Sequence, residues 1–367
     1  MPHFLAFLLV LFGFAAAPGA MAAPAAKQET QPPSAAAQKE AQTPHIALLL
    51  PLYSPAFGRA AEAVQQGFMA AASVQAAELP VKIYPTGDQV EEVLTAYREA
   101  LRADARIVAG PLTKNAVTAL AASRLVTAPT LALNTPEKDA EMPRQLYLFG
   151  LSAEAEARQI ARLAFSEGRK SAAIVSSGTA LAKRMQAAFA GEWQEMGGQI
   201  VAQLVFSGTE IHFPKLREAI ADRSADMIFL AAEAQEARLV RPYLDPAVAT
   251  YATSQIYGGK GESQKNVDLN GIQFVDMPWL LQPDHPAVMV YPRPAPALGV
   301  ELERLYALGI DAWRLTRLLL ESPPRAGMVL DGVTGQISIS ETRQFTRELP
   351  RAEFRDGEAA LPAAAQQ

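Results

Sequence analysis

Side chains able to do chemistry are sparse in this 367-residue chain, and their spacing argues against a catalytic or metal site. The four histidines, His3, His45, His212 and His285, lie far apart with no i, i+4 pair and no HExxH arrangement, so no metal site is indicated. His285, inside Pro283-Asp284-His285-Pro286, reads as a turn or capping residue. GxSxG, GxGxxG and GxxxxGK[ST] are all missing, and with them the common nucleophile and nucleotide signatures. Gly258-Gly259-Lys260-Gly261 has no helix after it to supply an N-terminal dipole and reads as a loop. The acid pairs Glu91 with Glu92, Glu154 with Glu156 and Glu301 with Glu303 all fall in predicted first turns of helices, where carboxylates favour the macrodipole. Asp311 and Trp313 read as packing or capping residues. What remains are polar residues at the carboxyl ends of predicted strands: Tyr53 and Ser54, Gly110 and Thr113, Asn134 and Thr135, Ser176 and Ser177. In an open α/β sheet such positions face the ligand crevice, and each also fits a turn or a helix cap.

The elements that would place these residues alternate along the chain. Short apolar runs at 46–52, 81–84, 106–109 and 130–133 are separated by helical patterns, the first marked by Phe57, Ala61, Val64, Phe68 and Ala72 and the others at 90–101 and 115–123. After the run at 146–151 a second set follows: helices at 153–167, 181–196, 214–221 and 235–243, with strands at 172–175, 200–206, 227–231 and 248–252. A long amphipathic helix at 302–320 leads to a β-hairpin over 327–339, punctuated by Asp331-Gly332 and Thr334-Gly335. The expected fold is therefore α/β, with two lobes, each a mostly parallel sheet flanked by helices, joined by a hinge and enclosing a cleft. Lobe 1 is expected over 45–150 plus about 253–345 and lobe 2 over 151–252, with a polar, disordered tail over 346–367.

Composition bounds the surroundings. With 33 Lys and Arg against 38 Asp and Glu, and no run of either sign, nothing concentrates the positive potential a nucleic-acid binder needs. The apolar stretch 4–17, followed by Ala20-Met21-Ala22, reads as a signal peptide spanning 1–22 and cleaved after Ala22. It is short of the about 20 apolar residues that a membrane-spanning helix needs. Residues 23–44 are rich in Ala, Gln and Pro and read as a disordered linker. The chain has no cysteine, hence no disulfide, thiolate ligand or lipobox cysteine, and the expectation is a soluble periplasmic protein without a cofactor.

Several stretches carry a resemblance. Ile46-Ala-Leu-Leu-Leu-Pro-Leu, Ile107-Val-Ala-Gly-Pro-Leu-Thr-Lys and Leu131-Ala-Leu-Asn resemble the type I periplasmic-binding superfamily. Leu146-Tyr-Leu-Phe-Gly-Leu-Ser, Gln235-Glu-Ala-Arg-Leu-Val-Arg-Pro, Tyr251-Ala-Thr-Ser-Gln-Ile-Tyr and, most specifically, Asp268-Leu-Asn-Gly-Ile-Gln-Phe-Val-Asp-Met-Pro-Trp-Leu resemble the binding-protein-like domain of the LpoA-type penicillin-binding-protein activators, over about 45–345. The resemblance implies a type I periplasmic-binding fold in a non-enzymatic periplasmic regulator whose partner is a class A penicillin-binding protein, the membrane enzyme that polymerises and cross-links peptidoglycan. Members of that family are typically outer-membrane lipoproteins with an N-terminal helical-repeat domain, and this chain carries neither a lipobox cysteine nor a stretch long enough for that domain. Arg238, Arg241, Asp276, Met277 and Trp279 are expected as exposed partner-binding anchors, since aromatic and arginine side chains dominate interface energetics. The alternative is a solute-binding receptor of an importer, holding an amino acid or similar small anion with Ser54, Thr113 and Asn134. Its lips would carry Pro51, Leu52, Pro111 and Leu112, which favours a sealed or weakly binding cleft.

Overall fold

β1 (His45–Leu50) is buried along its whole length, as a central parallel strand covered on both faces must be. Its alternating side chains feed two cores: Ile46, Leu48 and Leu50 into one, Ala47 and Leu49 into the other. These relations come from a computed structural model that describes residues 43–137, 141–206, 224–322, 324–325 and 327–362. Around β1 stand β2 (Val81–Pro85), β3 (Ala105–Ala109), β4 (Thr130–Ala132) and β5 (Leu146–Leu148), all parallel, in the order β2-β1-β3-β4-β5. α2 (Val90–Arg102) and α3 (Lys114–Ala122) cover one face through Val93, Tyr97, Val117 and Leu120.

The other face is covered by α1 (Gly58–Val74) together with the much later α10 (Val300–Glu321). These two helices meet closely because two glycines allow it: a Cβ at Gly67 would stand 1.8 Å from the Tyr306 carbonyl oxygen, and one at Gly309 would stand 2.1 Å from that of Val64. Phe57, expected inside α1, precedes it and is exposed.

The second sheet has the order β15-β14-β10-β9-β8-β6-β7. β6 (Ser171–Ser176), β7 (Gln199–Val205), β8 (Met227–Ala231), β9 (Ala249–Ala252) and β10 (Ile272–Val275) are parallel. α4 (Ala153–Ser166) and α5 (Ala180–Glu195) pack on the face that carries Ile174 and Phe229, and α6 (Ala234–Val240) on the face that carries Val175 and Leu230. Beyond β10 the sheet turns antiparallel with β14 (Arg351–Arg355) and β15 (Glu358–Ala360). A small antiparallel sheet of β11 (Val329–Gly332), β12 (Gly335–Ile339) and β13 (Phe345–Glu348) contains the expected hairpin. Three one-turn helices, α7 (Ser263–Asn266), α8 (Pro278–Leu281) and α9 (Pro286–Met289), lie between β9 and α10.

Two expectations are corrected. The polar tail expected over 346–367 instead contributes the end of β13, β14 and β15, because Ala352 and Phe354 alternate inward onto the second core. The block 253–345, expected with the first sheet, is divided: β10 pairs with β9 in the second sheet, whereas α10 packs on the first. The chain therefore passes between the sheets three times: from β5 into α4, from β10 through 276–299 into α10, and from β13 through Leu349 and Pro350 into β14. The expected signal peptide, nearly all of the linker, the helix at 214–221 and His212 lie outside the described residues.

Candidate functional site: the cleft between the sheets

A cleft of about 260 Å³ opens where these passages run, and its walls are the helix starts at the strands' carboxyl ends. α4 begins directly after the first passage, with the Ser152 hydroxyl capping it by accepting the Ala155 N–H at 3.1 Å. The two acids of that first turn part company. Glu154 stays at the mouth, where Arg184 of α5 donates to it at 2.7 Å and Lys114 of α3 stands 4.0 Å away. Burial pushes its carboxyl up, but hydrogen bonds from its own N–H and from Arg184, with Lys114 nearby, hold it below the usual range.

Glu156 turns inward and is 7% exposed. Its carboxylate accepts the N–H and the hydroxyl of Ser254 at 3.1 and 2.7 Å, and Arg347 of β13 stands 3.6 Å away. Burial raises its pKa; Arg347 opposes the shift and Asp276 reinforces it. One turn on, the Gln159 amide holds both backbone groups of Leu349, donating to its carbonyl at 2.8 Å and accepting its N–H at 3.1 Å.

From the first-sheet side, α10 contributes Arg304, whose guanidinium is 4% exposed. It donates to both Asp276 oxygens, at 2.6 and 3.3 Å, to the carbonyls of Ser254 and Tyr257 at 2.9 and 3.0 Å, and to Glu301. Burial would lower its pKa, but Asp276 and Glu301 move it upward, so the charge persists at any physiological pH. Tyr257 in the same corner is pushed up to about 12 by burial and by Asp276. The six charged residues lining the cleft, Lys114, Glu154, Glu156, Arg184, Glu301 and Arg304, are thus all engaged by the chain's own groups.

Of the residues expected in the cleft, only Asn134 is on its wall; its amide donates to the Leu112 carbonyl at 3.0 Å and its oxygen accepts the Thr135 N–H. Thr135 borders a separate void of about 30 Å³ beside Glu156. Ser54 is buried and accepts the N–H groups of Ala56 and Phe57, while Tyr53 beside it is 73% exposed. Gly110, at φ +115°, passes so close to the Leu49 carbonyl that no side chain would fit. Thr113 is the N-cap residue of α3, with no side-chain capping bond. Ser176 is buried and accepts the Gly178 N–H at 3.3 Å, and Ser177 meets Thr179. His285 caps α9, and Asp311 accepts the N–H groups of Val333 and Thr334.

Burial corrects three of the five expected exposed anchors, while Arg238 and Arg241 are half-buried. Asp276, Met277 and Trp279 are 1%, 2% and 0% exposed. Asp276 is committed to Arg304, and the Trp279 indole donates to Glu303 at 3.1 Å beneath the Arg293 guanidinium. Arg238 pairs with Glu262 and Asn266, and Arg241 donates to the Asn270 carbonyl at 3.2 Å. The sequence reads Glu156 as a first-turn acid alone and does not single out Gln159, Arg304 or Arg347; the three on helices carry one signal, since they fall in phase with the apolar stripes of their helices, Glu156 and Gln159 with Ile160 and Ala164, Arg304 with Leu308 and Leu315.

Two parallel-sheet lobes linked by three passages around a cleft define the type I periplasmic-binding fold. The chain belongs to the family described as "LppC putative lipoprotein", whose sequence profile matches residues 17–211 and 215–357. Among curated relatives, a Yersinia pseudotuberculosis protein named penicillin-binding protein activator LpoA is 30% identical over 87% of this chain and 61% of its own length. The Serratia proteamaculans protein of the same name is 29% identical over 77% of this chain and 47% of its own length. The chain thus spans about half to three fifths of these relatives. Among solved structures, one from Chromobacterium violaceum, described as a "putative branched-chain amino acid ABC transporter", superposes with a TM-score of 0.73 at 38% identity, covering 85% of this chain and all of that one. The Haemophilus influenzae LpoA C-domain, described as a regulator of PBP1A, superposes at 0.72 with 24% identity over 87% of this chain and all of that domain.

Proposed function

We propose that this chain is a non-enzymatic periplasmic regulator that binds and activates a class A penicillin-binding protein in peptidoglycan synthesis. The observation that carries the reading is the cleft. Its six charged lining residues already meet partners within the chain, and at the floor, where Arg304 pairs with Asp276 at 2.6 Å and Glu156 faces Arg347 at 3.6 Å, a zwitterion or small anion would have to break buried ion pairs. A body whose crevice is neutralised from within acts through its outer surface. The names of the relatives matched over 77–87% of this chain point the same way. An activator works by binding the active form of its synthase more tightly than the resting form, because equal affinity for both shifts nothing. The family is described as lipoproteins, whereas none of these 367 residues is a cysteine that could carry a lipid.

A second reading is favoured by the 38% identity to the Chromobacterium violaceum structure: a receptor for a branched-chain amino acid, held between Asn134 and Ser254. Two measurements separate the readings. The regulator retains purified class A synthases on an immobilised column and gives no heat on calorimetric titration with leucine, isoleucine or valine. Saturable heat without synthase retention overturns the regulator reading and leaves the receptor.

A further inference from the structure

A second pocket, of about 530 Å³, lies on another face of the first turn of α10: the cleft touches Glu301, Arg304 and Leu305, this pocket Val300 and Glu303. Its volume falls within the about 300–1,000 Å³ of ordinary ligand pockets. Leu280 of α8, Leu298 and Val300 line it, together with the buried Tyr257 and Trp279. One wall is Gly258-Gly259-Lys260-Gly261, the cluster that reads as a loop in the sequence. Glycines leave that wall as bare backbone: a Cβ at Gly261 would meet nothing within 4 Å, and the N–H groups of Gly258 and Gly259 donate to no group among the described residues.

Charge sets this pocket apart from the cleft. Its charged lining residues are Lys260, Arg293 and Glu303, two positive against one negative. Glu303 is engaged by the Trp279 indole and stands 3.7 Å from Arg293. Glu262, behind Gly258, is engaged by Arg238 and Lys265. The Lys260 ammonium is exposed and meets no partner among the described residues. A free small anion gains little from one exposed ammonium. A peptide adds an apolar side chain, buried in the lining, and a main chain that can pair with the bare backbone.

We propose that this pocket docks an extended acidic segment of the synthase, with a carboxylate on Lys260, an adjoining apolar side chain among Leu280, Leu298 and Val300, and main-chain carbonyls on the glycine loop. The proposal rests on the regulator reading above and says where on the outer surface it operates.

Ala297 is exposed on the rim, and the chain has no cysteine, so Ala297→Cys carries a benzophenone photocrosslinker at one defined place. With a purified class A synthase, the expected product joins Ala297→Cys to one synthase segment that mass spectrometry shows to hold Asp or Glu beside an apolar residue. Lys183→Cys, exposed on α5, gives no such product. Lys260→Glu is expected to weaken synthase binding about tenfold, and Lys183→Glu to leave it unchanged. Gly261→Trp, at a position open to a side chain, weakens binding as well, with circular dichroism confirming the fold of each variant. Three results overturn the proposal and leave the regulator reading standing: Lys260→Glu and Gly261→Trp proteins that bind as the parent does, equal weakening by Lys183→Glu, or crosslinks from Ala297→Cys to a second copy of this chain or to a synthase segment without a carboxylate. A parent protein that binds no synthase overturns both.

Discussion

At the floor of the cleft, Arg304 is 4% exposed and meets Asp276 at 2.6 Å; at the mouth, Lys114 is 41% exposed and stands 4.0 Å from Glu154. Both pairs join an element of the first sheet's lobe to one of the second's, yet water treats them differently. The floor pair has given up its hydration and is sustained by two backbone carbonyls besides Asp276. The mouth pair keeps water on one partner and adds little. Placement, rather than residue type, thus decides which charges hold the two sheets at a fixed angle.

The sharpest way to break this comparison is Asp276→Ala. It leaves Arg304 buried and uncompensated, and denaturant unfolding is expected to lose about 3–5 kcal/mol. A loss under about 1 kcal/mol would put the floor on a par with the mouth. Gln159→Leu comes next: it strands both backbone groups of Leu349, with an expected loss of about 1–3 kcal/mol and faster amide exchange at Leu349. The smallest effect belongs to Lys114→Ala, expected within about 1 kcal/mol and shrinking further in high salt. A larger, salt-insensitive loss there would mean that the mouth also holds the sheets together.

The elements were legible because buried parallel strands are written as apolar runs. His45–Leu50, Met227–Ala231 and Ala249–Ala252 fall within a residue or two of the runs that predict them. The last strands were less so. Arg351–Arg355 has the period-two pattern of a half-buried strand, with Ala352 and Phe354 inward, but three charged residues mask it as tail. Trp279 was misplaced for a related reason. A Pro-rich connection looks exposed in sequence, while the Glu303 carboxylate and the Arg293 guanidinium that receive the indole lie 24 and 14 positions away. The floor network was hidden most deeply, since Arg347 and Glu156 come from elements far apart in the sequence. A polar residue in phase with an apolar helix stripe is the trace it leaves in the sequence, and Arg304 among Leu308, Asp311 and Leu315 is the clearest case.

The central claim is that this chain stimulates a peptidoglycan synthase through its surface. The most direct test follows glycan polymerisation and peptide cross-linking by the host's purified class A synthases, with and without the purified protein. The account predicts faster product formation that saturates with added protein and is indifferent to added branched-chain amino acids. Unchanged rates from fully active synthases, at concentrations well above those that saturate binding, would contradict it.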